Sequence, residues 1–435
     1  MILSEVTEFI IDCEHKTAPI QAEGIPSIRT PNIGKGNLIL DGVNRVSEST
    51  YKEWTKRGEP KEGDLIIARE APVGNVAIVP KNLRVCLGQR TVLVRPNREI
   101  VDSRYLCYLL LGDELQGQIT TKTSGATVAH LNMKDIRELR IKKLPPLPTQ
   151  QKIASILSAY DDLIENNNQR IKLLEEMAEE IYKEWFVRLR FPGYKETRFI
   201  DPQGKEVPHG TPGALPEGWE TVPLTKMVRV LSGGTPKTSK PEYWNGQIPF
   251  FTPKDYTGER YCYSTEGNIT ELGLRNCNSR LYGEDTIVVT ARGTVGNIAL
   301  LGRPMAMNQS CFAIEGKDDM PNYFVYGLLA DTAGHLKTVA NGATFNAINI
   351  KTFEQTKVVM PIGTLAMGYH LQVAPLFKML KMLLQKNQLL QQTRDLLLPR
   401  LMSGKLDVGT LPYQMNEEPL SMVAEDETIY QAKRK

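Results

Sequence analysis

The sequence predicts an α/β protein in which two duplicated α/β modules are separated by two long antiparallel coiled-coil helices. Three observations carry that expectation. A heptad pattern fills residues 149–190, the pattern of residues 1–145 returns after Val222, and a second heptad pattern follows the return.

In chain order, residues 1–145 alternate short β-rich runs (64–68, 76–79, 91–94) with Gly, Pro and Asn turns. A helical stretch from 103 to about 118, a Gly-Ala loop and a last strand near 139–142 complete this first module. Pro145, Pro146 and Pro148 then lead into a helix over 146–191. Within it Ile153, Leu157, Tyr160, Ile164, Asn167, Ile171, Leu174, Ala178, Ile181 and Trp185 alternate at intervals of four and three. That spacing is a coiled-coil seam, and its one polar member, Asn167, is a register device. About forty helical residues span on the order of 60 Å. Pro192-Gly193 ends the helix, and 192–219, rich in Pro and Gly without periodicity, reads as a linker.

The second module, 220–360, repeats the first. AREAPVGNVAIV (68–79) matches ARGTVGNIALL (291–301) with one residue fewer, and Gln89 of CLGQRTVLV matches Gln309 of MNQSCFAI. YLCYLL (105–110) matches YFVYGLL (323–329), and SGATVAHLNMKD (124–135) matches NGATFNAINIKT (341–352). The offset drifts only from about 222 to 217 residues, as duplication with small loop changes requires. A second helix is therefore expected within 361–408. Leu376, Leu380, Leu383, Leu390, Leu397 and Leu401 form its seam, with Asn387 and Arg394 as polar members. Pro375 suits a first turn, Pro399 should kink or end the helix, and Gly404 should stop it. The polar tail 409–435 is expected to be mobile.

The two helices carry opposite charge balances. Residues 149–190 hold six Lys/Arg against eight Asp/Glu, and 371–405 hold six against one. Pairing them antiparallel with Asn167 facing Asn387 brings Leu174 to Leu380, Leu157 to Leu397 and Ile153 to Leu401. Apolar residues then face apolar residues along nearly the whole seam.

Composition narrows the class. The chain has 435 residues, 41% hydrophobic and 24% charged, ordinary for a globular protein with real cores. No apolar run reaches the ~18 residues of a membrane span, and MILSEVTEFIIDCEHK has neither the basic start nor the apolar core of a signal peptide. Six scattered cysteines without a CxxC pair suit a cytoplasmic protein with reduced thiols. A net charge of +3 neither demands nor opposes nucleic acid. Catalytic chemistry finds no support: the acids lie on helix faces or singly in turns, and five histidines show no ligand spacing. SGGTPKTS lacks the GxxxxGK[ST] order of a phosphate loop. A methyltransferase would need a Gly-rich loop after a strand and a catalytic motif, and neither is present.

Four stretches together resemble the specificity (S) subunit of a type I restriction–modification system. PLPTQQKIASILSAYDDLIENNNQRIKLLEEMAEEIYKEWFVRLRFPG is similar to the family's central shared region, and SGGTPKTSKPEYWNGQIPFFTPKDY (232–256) to the opening of many of its target-recognition domains. The pair ARGTVGN and MNQSCFAI is the third, and NQLLQQTRDLLLPRLMSGKLDV (387–408) resembles its distal shared region. PIGTLAMGYH (361–370) departs from the usual PLP-x-QQ helix opening, and the first module lacks an SGGTP-like start. The resemblance implies a non-catalytic prokaryotic dumbbell whose two target-recognition domains each read half of a bipartite double-stranded DNA site. Its helices set the spacer and dock two modification (adenine methyltransferase) subunits, and two ATP-dependent restriction subunits join them. S-adenosylmethionine, ATP and Mg then belong to those partners, with no cofactor in this subunit. The alternative from another class is a dumbbell protein-binding scaffold without sequence-specific DNA recognition.

Side chains able to read base edges mark candidate contacts, since Arg and Lys suit guanine and Asn and Gln suit adenine. In the first module they are Arg29, Lys35, Arg69, Asn75, Gln89, Arg90, Thr127, His130 and Lys134. In the second they are Thr252, Lys254, Arg292, Asn297, Gln309, Ser310, Thr344, Asn346 and Lys351. Residues common to both copies (Arg69 with Arg292, Asn75 with Asn297, Gln89 with Gln309) cannot explain different targets, and suit loop shaping or phosphate contact equally well. Tyr182 and Phe186 fall off the seam and are expected to dock a partner, whereas Trp185 continues the seam as core.

Overall fold

The computed structural model describes residues 1–123, 129–341 and 347–409. The chain divides into two compact units, Met1–Glu165 with Gln388–Lys435, and Asn166–Asn387.

In the first unit, strands β1 (Thr7–Asp12), β2 (Ile25–Ile28), β3 (Arg45–Val46), β4 (Leu65–Ala68), β5 (Val76–Ile78), β6 (Cys86–Leu87) and β7 (Thr91–Pro96) form two sheets. Their orders are β1-β7-β4-β5 and β3-β2-β6. The β-rich runs of the sequence do not include β1 to β3 or β6, which are short or mixed in polarity. Helix α1 (Glu48–Trp54) is capped by Ser47. The helical stretch after residue 103 splits at Gly112 into α2 (Ser103–Leu111) and α3 (Asp113–Thr123), and α4 (Met133–Arg137) follows. Near 139–142 there is only a bridge, Ile2 to Arg140, instead of a strand. Helix α5 (Leu147–Tyr182) continues into a π-turn over Lys183–Val187.

The second unit takes in α5 from Asn166 onward and continues with three two-residue strands, β8 (Phe199–Ile200), β9 (Glu206–Val207) and β10 (Leu215–Pro216), paired as one sheet. The stretch read as a linker is thus a small folded element, with Phe191 stacked on Trp219 at 5.2 Å. Two-residue strands leave no period-2 signal. Next come β11 (Glu220–Pro223), α6 (Leu224–Met227), β12 (Val228–Ser232), β13 (Trp244–Phe251), β14 (Tyr261–Cys262), β15 (Gly267–Ile269) and α7 (Glu271–Arg275). They are followed by β16 (Ile287–Thr290), β17 (Ile298–Leu301), β18 (Ala306–Met307), β19 (Cys311–Gly316), α8 (Asn322–Asn341), α9 (Ile350–Gln355), β20 (Lys357–Met360) and α10 (Gly363–Met402). The main sheets run β12-β19-β16-β17-β14 and β15-β13-β18.

The two modules share one hydrogen-bonding frame. Leu65 faces Ile78 as Ile287 faces Leu300, and Asp12 faces Val92 as Ser232 faces Phe312. The Cys13 N–H reaches Thr91 O as the Gly233 N–H reaches Cys311 O, so Asp12-Cys13 occupies the place of Ser232-Gly233 despite its different sequence. This frame corrects one alignment. Ala68 N–H bonds to Asn75 O as Thr290 N–H bonds to Asn297 O, and Arg69 N–H to Arg90 O as Ala291 N–H to Ser310 O. The two loops are therefore equal in length. Arg69 corresponds to Ala291, and Glu70 corresponds to Arg292.

In the second unit the helices pair at the expected polar layer. Asn167 Nδ2 donates to Asn387 Oδ1 at 2.8 Å, and Asn387 Nδ2 donates to Asn168 Oδ1 at 2.8 Å. Asn167 and Asn387 are both buried, and Leu174, Ala178, Leu380 and Leu383 join the same core. In the first unit Ile153, Leu157 and Leu401 share a core with Leu397 packed against it. Arg394, the odd polar residue of the distal seam, pairs with Asp161 at 2.6 Å. Pro375 is not in a first turn, because α10 starts twelve residues earlier. It is tolerated mid-helix on an exposed face, where water can satisfy the Leu371 carbonyl that its missing N–H leaves free. Gly404 adopts φ +70°, consistent with a helix stop.

Asn387→Leu strands a buried amide on Asn167 and should cost about 1–3 kcal/mol in urea unfolding. Leucine at both positions should recover much of that loss, because no buried polar group is then left alone; a double variant no more stable than the single one would contradict this account of the layer.

Candidate nucleic-acid interface

The loops at one end of the second module's sheet enclose a cleft of about 580 Å3. Five of the sequence candidates line it: Thr252, Lys254, Arg292, Gln309 and Ser310. Thr252 directly follows β13; its N–H and hydroxyl both donate to Asp255 Oδ2, at 2.7 and 2.8 Å. This cap tightens a single turn and presents Lys254. Gln309 and Ser310 precede β19; Ser310 N–H donates to Asn308 Oδ1 at 3.0 Å, and Gln309 Oε1 accepts from the Thr235 hydroxyl. Arg292 stands exposed in the β16–β17 loop. Trp244, set edge-on to Phe250 at 5.5 Å, supplies an apolar wall. Two cations, two amides (Asn308 and Gln309) and hydroxyls, with one acid, Glu266, line a partly apolar cleft and suit the edge of a polyanion with heterogeneous faces. Asn297 is not among the lining residues and accepts from Lys337 Nζ at 3.3 Å. Lys351 lies exposed in the first turn of α9.

In the first module the same loops carry different chemistry. Arg29 holds the position of Thr252, with its N–H on Asn32 Oδ1 at 3.1 Å, and its side chain is exposed, as is that of Lys35. Arg69 is buried. Its guanidinium reaches Leu131 O at 2.9 Å, Asp12 Oδ2 at 2.7 Å and His130 Nε2 at 2.8 Å. A guanidinium only donates, so His130 Nε2 accepts and its Nδ1–H donates to Glu70 Oε1 at 2.8 Å. Arg90 pairs with Glu70 Oε2 at 2.7 Å, its side chain 63% exposed and its backbone at φ +65°. Lys134 is exposed on α4. Thr127, Thr344 and Asn346 lie outside the described residues.

Two shared residues shape loops. Asn75 Nδ2 donates to Ile33 O at 2.8 Å, and Gln89 Nε2 donates to His15 O at 3.2 Å. His15 and Thr235 are equivalent, so Gln89 and Gln309 brace the same loop in both copies. Asp12, Cys13 and His15 place ligand atoms within 4.8 Å of one another. Asp12 is already committed to Arg69, and burial pushes the Cys13 thiol up, so an ion-paired loop describes the group better than a metal site.

The expected docking role of Tyr182 and Phe186 does not survive. Both are buried in the second unit's own core, with Phe186 edge-on to Phe324 at 4.8 Å. Burial raises the Tyr182 hydroxyl well above its ordinary range. A Cβ on Gly327 would come within 2.5 Å of the Tyr182 ring, so this glycine makes room for it. Gly327 is the extra residue in YFVYGLL relative to YLCYLL, a signal present in the sequence. Trp185 is only partly buried, because the i, i+4 series Ala178, Tyr182, Phe186 takes over from the seam where α5 enters its π-turn. Glu70 and Trp244 carry no signal in the sequence motifs; the equivalence of Glu70 and Arg292 follows only from the strand register.

A family model for the type I restriction modification DNA specificity domain matches residues 12–176 and 216–363. The chain belongs to this family. Among relatives of this DNA specificity family, the type I restriction enzyme MjaIX specificity subunit of Methanocaldococcus jannaschii is 28% identical, covering 86% of this chain and 84% of that one. The HindI specificity subunit of Haemophilus influenzae is 24% identical, over 86% and 94%. The crystal structure of the type I restriction–modification S subunit from M. genitalium shares the fold, with a TM-score of 0.59, 17% identity and coverage of 92% and 95%.

The corrected register separates two arginines that looked alike. Arg69→Leu should lower stability by roughly 1–3 kcal/mol, because Asp12 and His130 lose a buried donor. Arg292→Leu should leave the unfolding midpoint unchanged. Equal effects in thermal unfolding would contradict the placement.

Proposed function

We propose that this chain is the non-catalytic DNA-specificity subunit of a type I restriction–modification enzyme, each α/β module reading one half of a bipartite duplex site. The observation that carries the reading is the cleft that gathers Thr252, Lys254, Arg292, Gln309 and Ser310 from three loops. The first module keeps the same loop frame with a different set of side chains, as two readers of different half-sites require.

The helices set the unread spacer and dock two modification subunits. Exposed apolar side chains support docking on the helices in place of Tyr182 and Phe186: Leu163, Leu389 and Leu396 in the first unit, and Leu173, Met177, Met379 and Met382 in the second. Two restriction subunits complete the assembly. Methyl transfer from S-adenosylmethionine and ATP- and Mg-dependent restriction reside in the partners, which places the assembly with the DNA in a prokaryotic cytoplasm.

Mapping methylated adenines in DNA exposed to the assembled complex should give two fixed half-sites with a constant gap. Affinity for that site should fall steeply with salt, as phosphate contacts release counterions. Methylation without sequence preference, or no DNA affinity in the complex, would favour a protein-binding scaffold instead.

A further inference from the structure

The shared frame places Glu70 and Arg292 at one position in two loops of equal length, between the same backbone hydrogen bonds. At that position one module offers an acceptor and the other a donor. We infer that this position sets opposite base polarity in the two half-sites: Glu70 accepts from a base amino group, of cytosine or adenine, and Arg292 donates to guanine. The inference rests on the DNA-reading function proposed above.

The surroundings of Glu70 argue that its charge is held for recognition. Its Oε1 accepts from His130 and its Oε2 from Arg90, and each oxygen keeps a further lone pair. The His130 tautomer is set by Arg69, so the ring donates to Glu70 and does not compete with it as an acceptor. A bare carboxylate would repel phosphates; here Arg90 stands beside it, with 63% of its side chain exposed against 14% for Glu70. The acid is thus screened from the backbone while its remaining lone pairs can meet a base edge. Amino groups of cytosine and adenine are the major-groove donors a carboxylate can use, and the guanine and thymine acceptors are rejected. Arg292 inverts that choice, being suited to guanine O6 and N7.

The test uses the full chain assembled with its methyltransferase partner and a DNA library randomised in both half-sites. Glu70→Gln should lower the preference at one base position of one half-site by roughly ten- to hundred-fold and leave the other half unchanged. Arg292→Glu should replace a guanine preference at one position of the other half-site with cytosine or adenine. If Glu70→Gln unfolds the loop, Arg292→Glu, on an exposed side chain, still decides the matter. Weaker methylation spread evenly over all sequences, or unchanged preferences in both variants, overturns the inference while leaving DNA reading intact. A wild-type complex without any bipartite preference overturns the proposed function itself, and this inference with it.

Discussion

The constraint on which the helical part depends is register, and buried amides impose it. Asn387 spends both ends of its amide, accepting from Asn167 and donating to Asn168. Any slip along the seam would leave these groups facing leucine, at the cost of buried unpaired polar atoms. In the other unit the same task falls to Asp161, which takes Arg394 and the Tyr108 hydroxyl. Leucines supply the adhesion along the seam; the polar layers decide which leucine meets which.

Much of this was legible in the residues. Heptad spacing disclosed both helices, and matching the one polar residue of the first seam, Asn167, to Asn387 of the second disclosed their partner layer. The duplication disclosed two modules and pointed to the loops that form the cleft. What stayed hidden depended on strand register. The motif ARG-TVGN invites alignment of Arg69 with Arg292 by letter, yet the hydrogen bonds at the loop ends align Arg69 with Ala291. One arginine is an internal strut and the other a surface donor. Tyr182 was misplaced for a related reason: heptad reasoning assumes that a helix packs on another helix. Near its end α5 packs on a module, and the buried face changes to i, i+4.

The modules therefore separate frame from content. Strand pairing, the capped turns after β2 and β13, and the glutamines that brace the first loop recur in both copies. The side chains projecting from that frame do not recur. Arg29 stands for Thr252, Glu70 for Arg292, Arg90 for Ser310 and His15 for Thr235. A stable scaffold with variable projections lets recognition change without repacking the sheets.

The equality of the two β-hairpin loops carries a practical consequence. Segments 69–74 and 291–296 begin and end on the same carbonyls and amides, so their ends match as cassettes. Their termini need no new backbone hydrogen bonds, but Ala291 can be accepted in place of Arg69 only if Asp12 and His130, which Arg69 serves, are exchanged with it. Transplanting a reading loop between modules is thus a matter of moving Arg69, Asp12 and His130 as one set.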